Sequence, residues 1–259
     1  MTEDAQAAEV RVGKPEAAVL GQLRKKSHEE LLFLVEQLLE RQPDIKPLIE
    51  LLIELPLPNA SQQGKTSGKA NTRTLNLSSI RKQLDGALYY AGGGWESAGL
   101  IATELSRLCG IGDGFAEAGE WANAQAVYAA ITEEAIARYE ELEDEWQIAA
   151  IIDDCTAGLA LCLDTQRDLP EDERLSVVNR EKLLTSLFDI WNFGHDYGGI
   201  NIDVEDTILQ NVTEDERKMV EGWLRQKINS GQDSEWRKQS FVSFLTKLQE
   251  RASTSNENL

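Results

Sequence analysis

Three glycines alternate in the stretch Cys109 to Tyr128, CGIGDGFAEAGEWANAQAVY, at Gly110, Gly112 and Gly114. Glycines in alternation ahead of a helix raise the chemistry of a loop whose backbone N–H groups cradle a phosphate. The spacing argues against it. A dinucleotide loop is G-x-G-x-x-G after a strand; here the third glycine falls one position early, no strand pattern precedes it, and no lysine follows for a P-loop. The other chemically mixed stretch is Trp191 to Gly199, WNFGHDYGG, where His195 and Asp196 are adjacent and offer acid–base chemistry. The same residues also read as a helix C-terminus, with glycines turning the chain and His195 at the negative end of the dipole. Adjacent acids at Asp153-Asp154 and between Glu140 and Glu145 offer cation ligands. Successive residues point around a helix rather than converging, so a solvated face is expected there. The three cysteines, Cys109, Cys155 and Cys162, form no CxxC and no Cys/His cluster with the two histidines, His28 and His195. Buried free thiols are expected, with no catalytic residue, no metal and no cofactor. An enzyme centred on His195 is the minor alternative.

The elements that position these residues read almost entirely as helix. Proline is rare, six residues, four of them between Pro43 and Pro58. Alternating strand patterns are absent apart from Ile200 to Val204. Residues 1–26 read as disordered or partly helical. SHEE from Ser27 is a capping box. Leu31, Leu32, Val35, Leu38 and Leu39 follow on one helical face until Pro43. A second amphipathic run, Ile45 to Leu55, makes residues 27–56 a helical hairpin. Residues 57–77, rich in Gly, Ser, Asn and Thr, read as a flexible linker. This is also the chain's one basic island: Lys65, Lys69, Arg73, Arg81 and Lys82 lie between Glu54 and Asp85 with no acid among them. It reads as a solubilising linker or as an electrostatic tether to an acidic face, in this chain or a partner. The helical core spans 78–230, with helices over 78–91, 95–118, 121–141, 145–164, 176–193, 204–211 and 214–229. A C-terminal helix follows over 231–251, then a polar, disordered tail, 252–259. TEDE from Thr213 is another capping box, and Gly231 stands where a helix C-cap belongs.

In this context the opening stretch fits a tetratricopeptide pattern: a large residue, then a residue with glycine, an aromatic, a small residue nine later and another aromatic four beyond. Leu108, Ile111-Gly112, Phe115, Ala124 and Tyr128 take these places, and Gly119-Glu-Trp121 takes the turn. Small residues at Gly112 and Ala124 let two antiparallel helices approach, and Phe115, Trp121 and Tyr128 fill the space around them. Ile136 stands where the pattern has its proline, so the second helix is expected to run long. A poorer copy starts at Trp146, with Ala150 and Cys162 as small positions, offset by 38 residues. The expected fold is all-α: antiparallel hairpins stacked as a short tetratricopeptide-like right-handed array, with the N-terminal hairpin on its flexible linker. Three glycines in one helix, each costing up to ~1 kcal/mol against alanine, also predict a kink.

Four blocks carry a family resemblance: HEELLFLVEQLLERQPDIKPLIELL, GEWANAQAVYAAITEEAI, DDCTAGLALCL and LLTSLFDIWNFGHDYGG. In order and separation, from Leu31 to Ile228, they resemble the helical region that accompanies SWIM-type zinc fingers in bacterial proteins. The resemblance implies an all-helical, tetratricopeptide-like array with no assigned catalytic residues. The zinc finger's own C-x-C and C-x-H are absent, so zinc binding is not carried over. By the repeat resemblance Ser106, Cys109, Asp113 and Glu117 line a concave groove, joined by Asp144, Gln147 and Asp154 from the second copy.

Charge sets the partner class. Forty-five acids against 26 bases give a net charge of −19, a surface that repels nucleic-acid phosphates unless a local basic patch intervenes. An acidic groove is expected to receive a basic peptide or a basic protein surface, the work of a scaffold or adaptor. The alternatives are a nucleic-acid accessory factor using the basic linker and, less favoured, an acidic mimic of nucleic acid. The longest largely apolar stretch, around Ala157 to Leu163, is far short of the ~20 residues of a membrane span. The N-terminus lacks the basic and apolar regions of a secretion signal, so no membrane and a cytoplasmic location are expected.

Overall fold

The computed structural model describes residues 21–23, 25–42, 46, 49, 75, 77–89, 95–142, 145–197, 203–230 and 234–256. Among them every regular element is helical. The chain divides into two units, Met1–Ile49 and Glu50–Leu259.

In the first unit, α1 spans His28–Arg41. Its start is set by the expected capping box, with Ser27 Oγ accepting from the Glu30 N–H and Glu30 accepting from the Ser27 N–H. Lys26 also pairs with Glu30 at 2.6 Å. Bonds from Lys26 and Ser27 hold the Glu30 carboxyl down at about 2. No residue of α1 is buried, and Leu32, Phe33, Leu34 and Leu38 are exposed. Of the partner helix expected over 45–55, Lys46 and Ile49 are helical and the rest lies outside the described residues.

The second unit holds α2 (Leu77–Leu88), α3 (Trp95–Glu117), α4 (Trp121–Ala137), α5 (Glu145–Asp164), α6 (Val177–Gly194), α7 (Val204–Asn211), α8 (Glu214–Asn229) and α9 (Glu235–Asn256). Ser176 caps α6, and Thr213 with Glu216 forms the expected capping box on α8. Each helix from α2 to α5 packs on the next and on the next but one. Long-range pairs give the directions. Cys109 meets Cys155, and Gly112 and Gly158 touch the same ring, so α3 and α5 run parallel. Leu75 meets Asn123, Arg81 meets Glu133 and Arg138 meets Asp85, so α2 and α4 run parallel. Gln125 meets Asn179, and Glu133 acts on Asp189, which makes α6 parallel to them as well. The result is two layers, α2/α4/α6 and α3/α5, with α4 at the centre of a core that includes Ala124, Val127, Tyr128 and Ile131. Rings tie the C-terminal hairpin on: Trp191 of α6 lies 5.7 Å from Phe241 and 4.9 Å from Phe244 of α9, and Phe188 lies 5.4 Å from Trp223 of α8. Arg180 of α6 grips Glu216, the α8 capping residue, through two bonds of 2.6 and 2.9 Å.

Several expectations are corrected. The poorer repeat copy needs a turn between its two small positions, yet α5 is one unbroken helix through both, with Ala150 exposed and Cys162 buried. No proline or turn residue in that stretch is placed to stop it. The register between α3 and α5 is 46 residues, the separation of Cys109 and Cys155, rather than 38. α3 runs as one helix through Gly110, Gly112 and Gly114; of the described glycines, only Gly119 in the α3–α4 turn has positive φ, 76°. The linker ends before 75: Leu75 is buried, and its N–H is held by Asn123, because its apolar side chain joins the core. Lys65, Lys69 and Arg73 lie outside the described residues, whereas Arg81 and Lys82 belong to α2. The tail, too, is shorter than expected, since with no breaker after Arg251 α9 continues to Asn256. Val204 opens α7 rather than ending a strand; 200–202 and Gly231 lie outside the described residues.

Candidate functional site

Tyr128, near the middle of α4, organises the α3/α5 layer. Its ring is buried and threads between Gly112 of α3 and Gly158 of α5. A Cβ on either glycine would lie 2.5 Å from a ring carbon. Any side chain there would displace the ring or separate the helices. Beyond the two glycines the hydroxyl donates to Asp113 Oδ1 at 2.6 Å. Burial raises the phenol above its ordinary range, and the bond to the Asp113 carboxylate raises it further, so it stays a protonated donor. Asp113 itself is exposed. The arrangement anchors a solvent-facing carboxylate from behind through a buried tyrosine, reducing the rotamer freedom it would lose on meeting a partner.

Ser106, Asp113 and Glu117 of α3 and Gln147 and Asp154 of α5 are all exposed. α5 carries no lysine or arginine, and α3 has one, Arg107, which turns to Glu104 and to Gln83 of α2. Asp144 lies outside the described residues. Cys109 is corrected: it is buried in the α3–α5 seam, its Sγ taking a hydrogen bond from Cys155 at 3.5 Å, and does not line an open groove. Its seam position follows from α3 and α5 being parallel and in contact. All three cysteines are free and buried. Cys155 is raised well above the ordinary thiol range, first by its bond to Cys109 and then by burial, while burial takes Cys162 to about 12. Neither is a thiolate at neutral pH.

A second feature, absent from the sequence expectations, lies across α4 from Tyr128. A groove of about 1040 Å³ runs between α4 and α6, bounded at one end by Leu75 and Leu77. Its floor is alanine, including Ala122, Ala126 and Ala129. Gln125, 3% exposed, also lines it. Gln125 Nε2 donates to the Asn179 carbonyl at 2.7 Å, and Oε1 has no hydrogen-bond partner among the described residues. A carbonyl can only accept, so the amide cannot be turned around: the unsatisfied atom is the acceptor.

His195 is packed between two tryptophans. Its ring stands edge-on to Trp191 at 4.6 Å and to Trp236 at 5.5 Å, and it lines neither the α4–α6 groove nor the shallower hollow beside it. Burial lowers its pKa, and Arg237, paired with Asp196 at 2.8 Å, adds to that. Arg81, one of the expected tether residues, pairs with Glu133 of α4 at 3.3 Å. Among the described residues no three metal-ligating side chains cluster, and no helix is long and apolar enough to cross a membrane. No family model, no curated protein and no solved structure matches this chain.

Proposed function

We propose that this chain is a protein-interaction scaffold, a short right-handed stack of antiparallel helical hairpins of the tetratricopeptide kind. Its α3/α5 layer receives a basic peptide or protein surface. The alternation of two parallel layers supports the stacking. The observation that carries the reading is Asp113, exposed to solvent yet held from behind by the Tyr128 hydroxyl at 2.6 Å. Glu117 one turn on and Asp154 on the neighbouring helix extend the acidic face around it. Long-range attraction to such a face speeds encounter with a cationic partner, and anchored carboxylates set its register.

The test is affinity purification of the tagged full chain from its native cells, comparing wild type with Asp113→Lys plus Glu117→Lys. Both positions are exposed, but Lys at 113 removes the acceptor of the Tyr128 hydroxyl, so a loss of about 1–3 kcal/mol is expected, and the variant is used where its melting curve shows it folded. The double charge reversal is expected to cut recovery of the basic partner by roughly tenfold. Full recovery of the same proteins by the reversed variant removes the α3/α5 face as the docking site.

A further inference from the structure

The α4–α6 groove lies on the opposite side of α4 from Asp113. Its wall chemistry is one-sided. The hydroxyls of Thr185 and Ser186 donate to their own helix's carbonyls, Glu181 O at 2.9 Å and Lys182 O at 3.1 Å, and so offer the groove lone pairs only. Gln125 Oε1 is unsatisfied but closed to solvent beneath the floor. Glu181 and Asp189 of α6 add carboxylates at the same wall. Of the bases at the groove, Arg81 is paired with Glu133, leaving Lys182. Burial raises the Asp189 carboxyl, Lys227 lowers it, and Glu133 of α4 raises it again to a smaller extent. The floor is too shallow in side chains to fill itself: alanines leave a trough that accepts apolar stems.

We propose that the α4–α6 groove binds an extended peptide segment rich in lysine and arginine, whose cationic N–H groups meet the Glu181 and Asp189 carboxylates and whose aliphatic stems lie on the alanine floor. From Ala122 to Ala137 the floor is about 22 Å long at 1.5 Å per residue. An extended chain covers that with about seven residues. The site is separate from the α3/α5 face and does not depend on that face binding anything.

The probe is a fluorescein-labelled peptide of about nine residues, alternating Lys or Arg with Ala, titrated by anisotropy with the full chain and matched against the same peptide with Glu for each base. The basic peptide is expected to bind and the acidic one not. Glu181→Lys plus Asp189→Lys, and separately Ala126→Trp to fill the trough, should each weaken binding by about tenfold or more, roughly 1.4 kcal/mol. Asp113→Lys plus Glu117→Lys makes the same charge change on the other layer and should leave the groove's share of the binding, the part lost on Glu181→Lys plus Asp189→Lys, within about twofold, which separates the groove from the α3/α5 face and from general attraction to an acidic protein. Should Ala126→Trp lower the melting temperature, the Glu181/Asp189 pair decides alone. Groove variants that bind like wild type, or an acidic peptide that binds equally well, overturn the proposal. Loss confined to the Asp113/Glu117 variant would move the peptide to the α3/α5 face, overturning the groove while supporting that reading.

Discussion

The two sides of α4 use small residues in opposite ways. Facing α3 and α5, Gly112 and Gly158 are small because Tyr128 fills the space they leave, with ring carbons 2.5 Å from where a Cβ would stand. Facing α6, Ala122, Ala126 and Ala129 are small and their space stays open as the groove. On the first side smallness is a packing requirement that fastens two parallel helices around a tyrosine and positions Asp113. On the second it shapes a surface. A stripe of small residues therefore does not by itself tell a seam from a site; what lies across from it does.

The sharpest way to break this comparison is at the clasp. Gly112→Ala places a methyl against a ring that Gly158 hems in from the far side, so the ring has nowhere to retreat. Overpacking of this kind costs about 1–3 kcal/mol. In a Tyr128→Ala background, itself destabilised by about 3–5 kcal/mol through the cavity left, the sign should reverse. Gly112→Ala then gains up to ~1 kcal/mol of helix propensity. Urea unfolding of the four proteins in the cycle gives the coupling directly. If Gly112→Ala costs the same with and without the tyrosine ring, the glycine is not there for the ring.

The groove side depends on a different kind of bond. One wall of the groove, α6, is tied to α8 by Arg180 and Glu216, each 15% exposed in its side chain. Burial pushes the Glu216 carboxyl up, but the bonds from Arg180 and from the Thr213 N–H outweigh it and leave the value below the ordinary one. A lowered carboxylate contributes stability that is fully present above the unfolded value, ~4.3, and is lost as pH falls below it through the folded value. Arg180→Gln should cost about 1–3 kcal/mol at pH 7, and the difference from wild type should shrink below pH ~4.3. A mutant deficit that does not change with acid would mean Glu216 has no part in holding this wall.

These features were unequally legible in the sequence. Helix starts were read correctly at Ser27 and Thr213 because a capping box is local, two residues three apart. Gly112, Ala124 and Tyr128 were found because a tight hairpin writes its packing at short range. Gly158 gives no such local signal: it touches the same ring from a helix that carries no break, so no turn marks its place. Gln125 reads in the sequence as one more polar residue between alanines; only the parallel arrangement of α4 and α6 brings it to the Asn179 carbonyl and leaves its oxygen unpaired. Arg180 and Glu216 lie 36 residues apart, with nothing in either neighbourhood to pair them. Charge was legible as a total and not as a distribution, so the acids of α6 went unnoticed beside those of α3 and α5.

The smallest expected effect is the most discriminating for the groove side. Ala122 is exposed on its floor, so Ala122→Leu should leave stability within about 0.5 kcal/mol, the range of surface substitutions away from special features. Leucine is nearly as good a helix former as alanine, and the added side chain enters open space instead of a neighbour. A methyl at Gly112 is thus expected to cost more than three further carbons at Ala122. Thermal unfolding of the two single variants side by side measures this contrast. If Ala122→Leu destabilised as much as Gly112→Ala, the trough would already be filled in solution by a side chain of this chain, and both sides of α4 would be seams.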